Sequence, residues 1–186
     1  MPKEDLRVTK TKKLIMDTFK EMLLKTDYES INVKDLCDKA LINRRTFYLH
    51  YSSLDELLYE LQEELSNRFF ELTKDYDHIS DADKIIRVYF EITNENPVFE
   101  VINNNTNLDY IIMQLNNKVG QKANNNFKSL EKYDIFTRKL IITYYNTATS
   151  NLYRQWCKDG KKLSLEHVIN LATALIQNGL NGIITN

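Results

Sequence analysis

The sequence predicts an all-α fold, and three observations carry that expectation. Only 4 glycines and 2 prolines stand among 186 residues, which leaves little material for the tight turns that join strands. Apolar residues recur at steps of three and four along most of the chain, and no stretch alternates at the period of a half-buried strand. Cap residues stand where helices should begin: Asn32, Asn43, Ser53, Asn96 and Ser164 each precede such a periodic run. About nine helices are expected. With 42% hydrophobic and 27% charged residues, the composition is that of a folded globular protein of one or two domains.

Residues 1–8 are a polar arm. Over residues 10–25, Leu14, Ile15, Thr18, Phe19, Met22 and Leu23 make a continuous apolar stripe, with Lys12, Lys13 and Lys20 elsewhere on the surface. Two short helices then meet across a turn. Asn32 caps the first, in which Val33, Leu36, Cys37 and Ala40 share one face and Lys34, Asp38 and Lys39 are left to solvent. Leu41 and Ile42 turn the chain. Asn43 caps the second, residues 44–51, where Phe47 and Tyr51 lie four apart on one side. The other side carries Arg44, Arg45, Tyr48, Leu49 and His50. Guanidiniums can read guanine or clamp phosphate, and an exposed leucine can meet a thymine methyl, so this face suits DNA.

Ser53, Leu54, Asp55 and Glu56 form a capping box with two acids in the first turn of a new helix. Its stripe of Leu54, Leu57, Leu58, Leu61, Leu65, Phe69 and Leu72 runs to about residue 76. Ser80, Asp81 and Asp83 open the next helix, whose buried side is Ile85, Ile86, Tyr89, Phe90 and Ile92. Asn96 and Pro97 end that helix and start a short one, because proline is accepted at the first helical position. After an Asn-rich joint at residues 103–107, a long helix is expected over residues 108–130. Residues 134–158 place Phe136, Leu140, Tyr144, Ala148, Leu152 and Trp156 at steps of four, and Gly160 stops that helix. The last helix carries Leu165, Val168, Ile169, Ala172, Leu175, Ile176, Gly179, Leu180 and Ile183, an apolar band wider than one neighbouring helix can cover.

The order of a capped helix, a short turn, a capped aromatic-rich helix and a long amphipathic helix resembles the N-terminal domain of TetR/AcrR-type transcriptional regulators over about residues 9–60. Val33, Leu36, Ala40, Ile42, Arg44, Thr46, Phe47, Tyr48, His50, Tyr51 and Leu57 carry the likeness. Three positions depart from it. Leu41 stands where the family has a turn glycine, Arg45 where a small residue is common, and Leu54 where a lysine commonly holds phosphate. The resemblance implies that Tyr28 and Ile31 pack between the first two helices. It also implies a helix-turn-helix domain at residues 1–53 and a helical effector-sensing and dimerisation domain at residues 54–186. Candidate DNA-binding residues are Lys10, Asn32, Val33, Lys34, Asn43, Arg44, Arg45, Thr46, Tyr48, Leu49 and His50. Candidate effector-binding residues are Phe69, Tyr89, Phe99, Tyr110, Met113 and Tyr144. A two-fold interface is expected from Tyr144, Ala148, Leu152, Trp156, Val168, Ala172, Leu175, Ile176 and Gly179. The implied partners are a palindromic double-stranded operator, a second copy of the chain and a small-molecule effector.

Charge supports this division. Residues 1–51 hold 11 Lys/Arg against 8 Asp/Glu, and the remainder holds 14 against 18, so the net positive charge lies where phosphate would be met. Other classes find little support. His50, His78 and His167 are scattered, with His78 and His167 expected at the surface near helix ends. No nucleophile pairs with a base at motif spacing, and no glycine-rich phosphate loop, metal set or cofactor motif is present. Cys37 and Cys157 lack ligand spacing and are read as reduced. No apolar run approaches the roughly 18–20 residues that span a bilayer, and the N-terminus does not read as a signal peptide, so a cytoplasmic location is expected. Two further readings stay open: a helix-turn-helix regulator controlled by a protein partner, and a helical interaction protein without a DNA role.

Overall fold

The computed structural model describes residues 6–110 and 127–184, with side chains to residue 179. Eight α-helices and no strand are found among them: α1 Leu6–Leu23, α2 Val33–Lys39, α3 Arg44–Tyr48, α4 Leu54–Thr73, α5 Ala82–Glu95, α6 Pro97–Asn104, α7 Ile135–Lys158 and α8 Leu165–Ile184. Most of the helix expected over residues 108–130, Met113 included, lies outside the described residues. The chain divides into two compact units, Met1–Glu63 and Glu64–Asn186. That division falls inside α4 rather than at its head. Leu57, Leu58 and Leu61 are fully buried in the first unit, whereas Leu65 packs with Ile92 and Phe99 in the second.

In the first unit Leu6, Arg7 and Val8, expected in a polar arm, already belong to α1, and the Thr11 hydroxyl donates to the Arg7 carbonyl one turn back. Its inward face is Ile15, Met16, Thr18, Phe19 and Leu23; Leu14 is exposed. The Phe19 and Tyr28 rings meet edge to face at 6.3 Å, and the Tyr28 hydroxyl donates to Asp55 at the head of α4. The capping box is displaced by one residue. Ser53 accepts from the Glu56 N–H, but the Glu56 carboxylate takes the N–H and hydroxyl of Ser52, at 2.6 and 2.8 Å. Those bonds hold the Glu56 carboxyl below its ordinary range.

Two helices end in the same way with different residues. After α2 the Ile42 N–H reaches the Cys37 carbonyl and the Leu41 N–H reaches that of Asp38; after α7 the Lys161 N–H reaches Trp156 and the Gly160 N–H reaches Cys157. Both patterns are Schellman closures, which need a left-handed residue just past the cap. Gly160 supplies it with φ 74°, whereas Leu41 adopts φ 55° with a side chain 92% exposed. Leu41 therefore bears the steric cost of a Cβ in this region and recovers none of it by burial.

The second unit is built on a core in which Ile85, Ile86 and Phe90 of α5 meet Ile141, Tyr145, Tyr153 and Trp156 of α7 and Val168, Ile169, Ala172 and Ile176 of α8. Aromatic edges dominate: the Tyr153 ring lies 5.1 Å from Phe90, 5.9 Å from Tyr89 and 5.7 Å from Trp156. Arg87 closes the α5 and α8 pair with a two-pronged contact to Glu166, both bonds 2.7 Å. The loop before α5 is organised by Asp77, whose carboxylate accepts the N–H groups of Ile79, Ser80 and Ser129 and the Ser129 hydroxyl. Despite partial burial, these bonds hold its carboxyl low.

His78 is a correction to the sequence reading. It is not on the surface but 7% exposed, its ring 4.9 Å from Phe127 and 5.9 Å from Phe69. Apolar neighbours from outside its own loop remove it from water, and this burial lowers its pKa to about 4.

Two predictions follow from these sites. Leu41→Gly should raise unfolding stability by about 1 kcal/mol in denaturant titration, and Gly160→Ala should lower it by about as much; no atom lies within 4 Å of the added Cβ at Gly160, so its cost is in the backbone alone. For His78, the unfolded chain takes up its proton near pH 6.5 and the folded chain only near pH 4. Its stabilising effect is therefore complete above pH 6.5 and is lost as pH falls towards 4, by up to about 3 kcal/mol. Above about pH 5 the depressed carboxylates add little, so His78→Gln should flatten the stability curve between that point and pH 6.5.

Candidate nucleic-acid interface

Two asparagines fix the local geometry of α2 and α3. Asn32 accepts the Asp35 N–H at 3.0 Å and donates to the Asp35 carboxylate. Asn43 accepts the Thr46 N–H at 2.7 Å and the Thr46 hydroxyl at 3.0 Å. Each has the extended backbone that capping requires and satisfies an N–H that a helix start leaves open. α3 is shorter than the expected residues 44–51: it runs five residues, with Leu49 as its C-terminal cap. Phe47 is completely buried, 5.3 Å from the Tyr48 ring and 6.0 Å from that of Tyr51. Burial, then the Glu60 and Glu56 carboxylates, push the Tyr51 phenol up, and the Lys12 ammonium stands 5.7 Å from its ring centre.

With Phe47 inward, the rest of α3 faces water. Arg44 and Arg45 are exposed and form no hydrogen bond or ion pair among the described residues. Tyr48 and Leu49 are 57% and 74% exposed, while Thr46 and His50 are half-buried. Burial raises the Cys37 thiol pKa, and the charge of Arg44 pulls it partly back. Lys34 is exposed and Val33 half-buried on α2, which packs against α3; Lys10 is exposed on α1. Asn32, Asn43 and Thr46 spend hydrogen-bonding groups on capping, so their first role is to set the helices. Chemically, the outward face of α3 offers two forked cations, a phenol and a bare aliphatic side chain.

The residues expected at a two-fold interface separate into two groups. Trp156, Val168, Ala172 and Ile176 are buried within their own chain's core, and the Trp156 indole donates to the Leu163 carbonyl at 2.9 Å. Ala148 and Leu152 are half-buried against the same core. Tyr144, Leu175 and Gly179 are exposed, together with Phe136, Leu140 and Leu171. The reason is helical geometry. A step of four overshoots one turn by about 40°, so five steps from Phe136 to Trp156 carry the direction about 200° round α7. Its inward face is instead Ile141, Tyr145, Thr149, Tyr153 and Trp156. A Cβ on Gly179 would stand 3.0 Å from the Tyr144 hydroxyl, so these two residues sit close together on the outer side of α7 and α8.

The described effector-binding candidates, Phe69, Tyr89, Phe99, Tyr110 and Tyr144, fall in different surroundings. Phe99 belongs to the cluster of Leu65 and Ile92, with Phe69 packed against it, and Tyr89 packs on Tyr153 and Phe90. Tyr110 and Tyr144 are 44% and 50% exposed rather than inside the helical core. Sequence reasoning missed His78 and the Asp77 clasp. The Asp-x-x-Ser spacing of Asp77 and Ser80 is a turn signal that could have pointed to the clasp, but its contact with Ser129 is distant in sequence. Among the described residues no group of His, Cys, Asp and Glu could hold a metal ion, and no helix is long and apolar enough to cross a membrane.

No family model matches the chain. In sequence it is similar to the HTH-type transcriptional regulator YxbF of Bacillus subtilis, 24% identical over 150 residues; that match covers 77% of this chain and 38% of the length of YxbF. Its fold matches a solved tetR-family transcription regulator from Shewanella sp. PV-4, with a TM-score of 0.70 at 13% identity over 91% of this chain and 97% of that one. It also matches a TetR transcriptional regulator from Streptococcus agalactiae, with a TM-score of 0.65 at 21% identity over 92% and 96% of the two chains.

The Asn43 cap can be tested directly. Asn43→Ala removes both bonds to Thr46 and should lower stability by about 1 kcal/mol in thermal unfolding, whereas Asn43→Asp keeps the acceptor and most of the stability.

Proposed function

We propose that this chain, which has the fold of the TetR-family regulators, is a DNA-binding transcriptional regulator that reads a palindromic operator as a homodimer and answers to a small-molecule effector. One observation carries the proposal: α3 holds Phe47 in the core and turns Arg44, Arg45, Tyr48 and Leu49 outward, within residues 1–51, which hold 11 Lys/Arg against 8 Asp/Glu. Exposed guanidiniums on a short, capped helix have the chemistry for phosphate and guanine, and the sequence similarity to an HTH-type regulator points the same way.

Two further observations support the homodimer and the effector. Phe136, Leu140 and Tyr144 along α7 and Leu171 and Leu175 along α8 leave apolar side chains in water, as a surface awaiting a second copy would. A two-fold pair would set two α3 helices at half-sites about 34–36 Å apart. Inside the second unit, the Tyr145 hydroxyl and the Thr93 hydroxyl are buried without a hydrogen-bond partner among the described residues. A small molecule with donors and acceptors of its own could satisfy such groups. Effector binding there would act through α4, the helix that both units share.

Salt-dependent anisotropy with a promoter-length duplex from upstream of the protein's own reading frame tests this. Affinity should fall steeply as salt rises, and Arg44→Ala or Arg45→Ala should each weaken binding at least about fivefold. A double variant with the affinity and salt slope of the parent would remove this face from any DNA interface.

A further inference from the structure

We propose that Arg45 and Leu49 are the base-reading side chains of α3, Arg45 taking a guanine and Leu49 the 5-methyl group of a thymine within about two base pairs of it, while Arg44 and Tyr48 meet the sugar–phosphate wall. This rests on the regulator reading above and assigns its sequence preference.

The argument starts from Phe47, the one α3 side chain that is fully buried. At about 100° per residue, Arg44 lies about 60° and Tyr48 about 100° from the Phe47 direction, whereas Arg45 and Leu49 each lie about 160° away, on either side of the point opposite it. Leu49 keeps right-handed helical dihedrals, φ −74° and ψ −19°, so the same rotation applies to it. When the Phe47 side packs inward, Arg45 and Leu49 therefore reach furthest from the protein. In a groove those two approach the base edges, and Arg44 and Tyr48, set to one side, approach the backbone.

The chemistry then selects the bases. Arg45 has no hydrogen-bond or ion-pair partner among the described residues, and its fork of donors matches the paired N7 and O6 acceptors that only guanine presents in the major groove. Leu49 is 74% exposed and has no polar atom to offer. The thymine methyl is the one apolar group on a major-groove edge. Four residues of helix separate the two side chains, a rise of about 6 Å, and base steps are about 3.4 Å, which sets the separation at about two steps. The resemblance to TetR/AcrR regulators does not supply this assignment, because Arg45 stands where that family commonly has a small residue.

Selection of bound DNA from a randomised duplex library, with the full chain and with Arg45→Ala, Leu49→Ala and Arg44→Ala, tests the assignment. Circular dichroism melting confirms folding, which these exposed positions should not disturb. The parent should enrich a half-site containing guanine and thymine at that separation. Arg45→Ala should lose the guanine preference alone, and Leu49→Ala the thymine preference alone. Arg44→Ala should bind more weakly yet enrich the same sequence. Deoxyuridine in place of that thymine should weaken the parent by about three- to fivefold and leave Leu49→Ala unchanged. An enriched motif that survives both Arg45→Ala and Leu49→Ala, or that tolerates loss of the methyl, overturns the assignment and leaves the regulator reading standing. A parent that enriches no sequence overturns both.

Discussion

The burial of the Phe47 ring is the constraint on which the candidate interface depends. A helix of five residues is too short to hold itself together in water. Its existence is owed to what surrounds it: the Asn43 cap at its start, the Schellman closure of α2 just before it, and the packing of Phe47 against Tyr51. Of these, only Phe47 fixes rotation about the helix axis. Turning α3 by a single residue's angle would expose a phenyl ring and point the Tyr48 phenol or the Thr46 hydroxyl into the core in its place, a change that hydrophobic and desolvation costs both oppose.

Leu41 shows the same region working against local preference. Its left-handed backbone completes the closure that delivers the chain to Asn43, and its side chain projects into solvent. The α7 terminus makes the equivalent bonds with Gly160, so nothing in the closure itself calls for leucine. The energetic cost at Leu41 is confined to one residue and is offset by the two carbonyls the closure satisfies.

The features legible in the sequence were those decided by neighbours a few residues apart. Asn32, Asn43 and Asn96 cap as expected because a cap needs only its own helix, and Pro97 stands at a helix start for the same reason. The α3 face was legible too, since a buried aromatic and its opposite side follow from a single period. Features set by distant residues were not. His78 is buried by rings from α4 and from Phe127, Asp77 binds Ser129, and Arg87 finds Glu166 on α8. The run of steps of four on α7 failed for a different reason: it looks like one face over two turns but winds from the outer side to the core over six positions. Trp156 and Tyr144, assigned to one surface, therefore lie on different ones.

The most direct test of the account is amide chemical-shift mapping of the isotope-labelled full chain during titration with a short duplex of the selected sequence. The account predicts perturbations that grow with bound fraction and centre on residues 43–50, with Asn32, Val33 and Lys34 beside them. Perturbations confined to residues 64–186, or none as duplex is added, would contradict it.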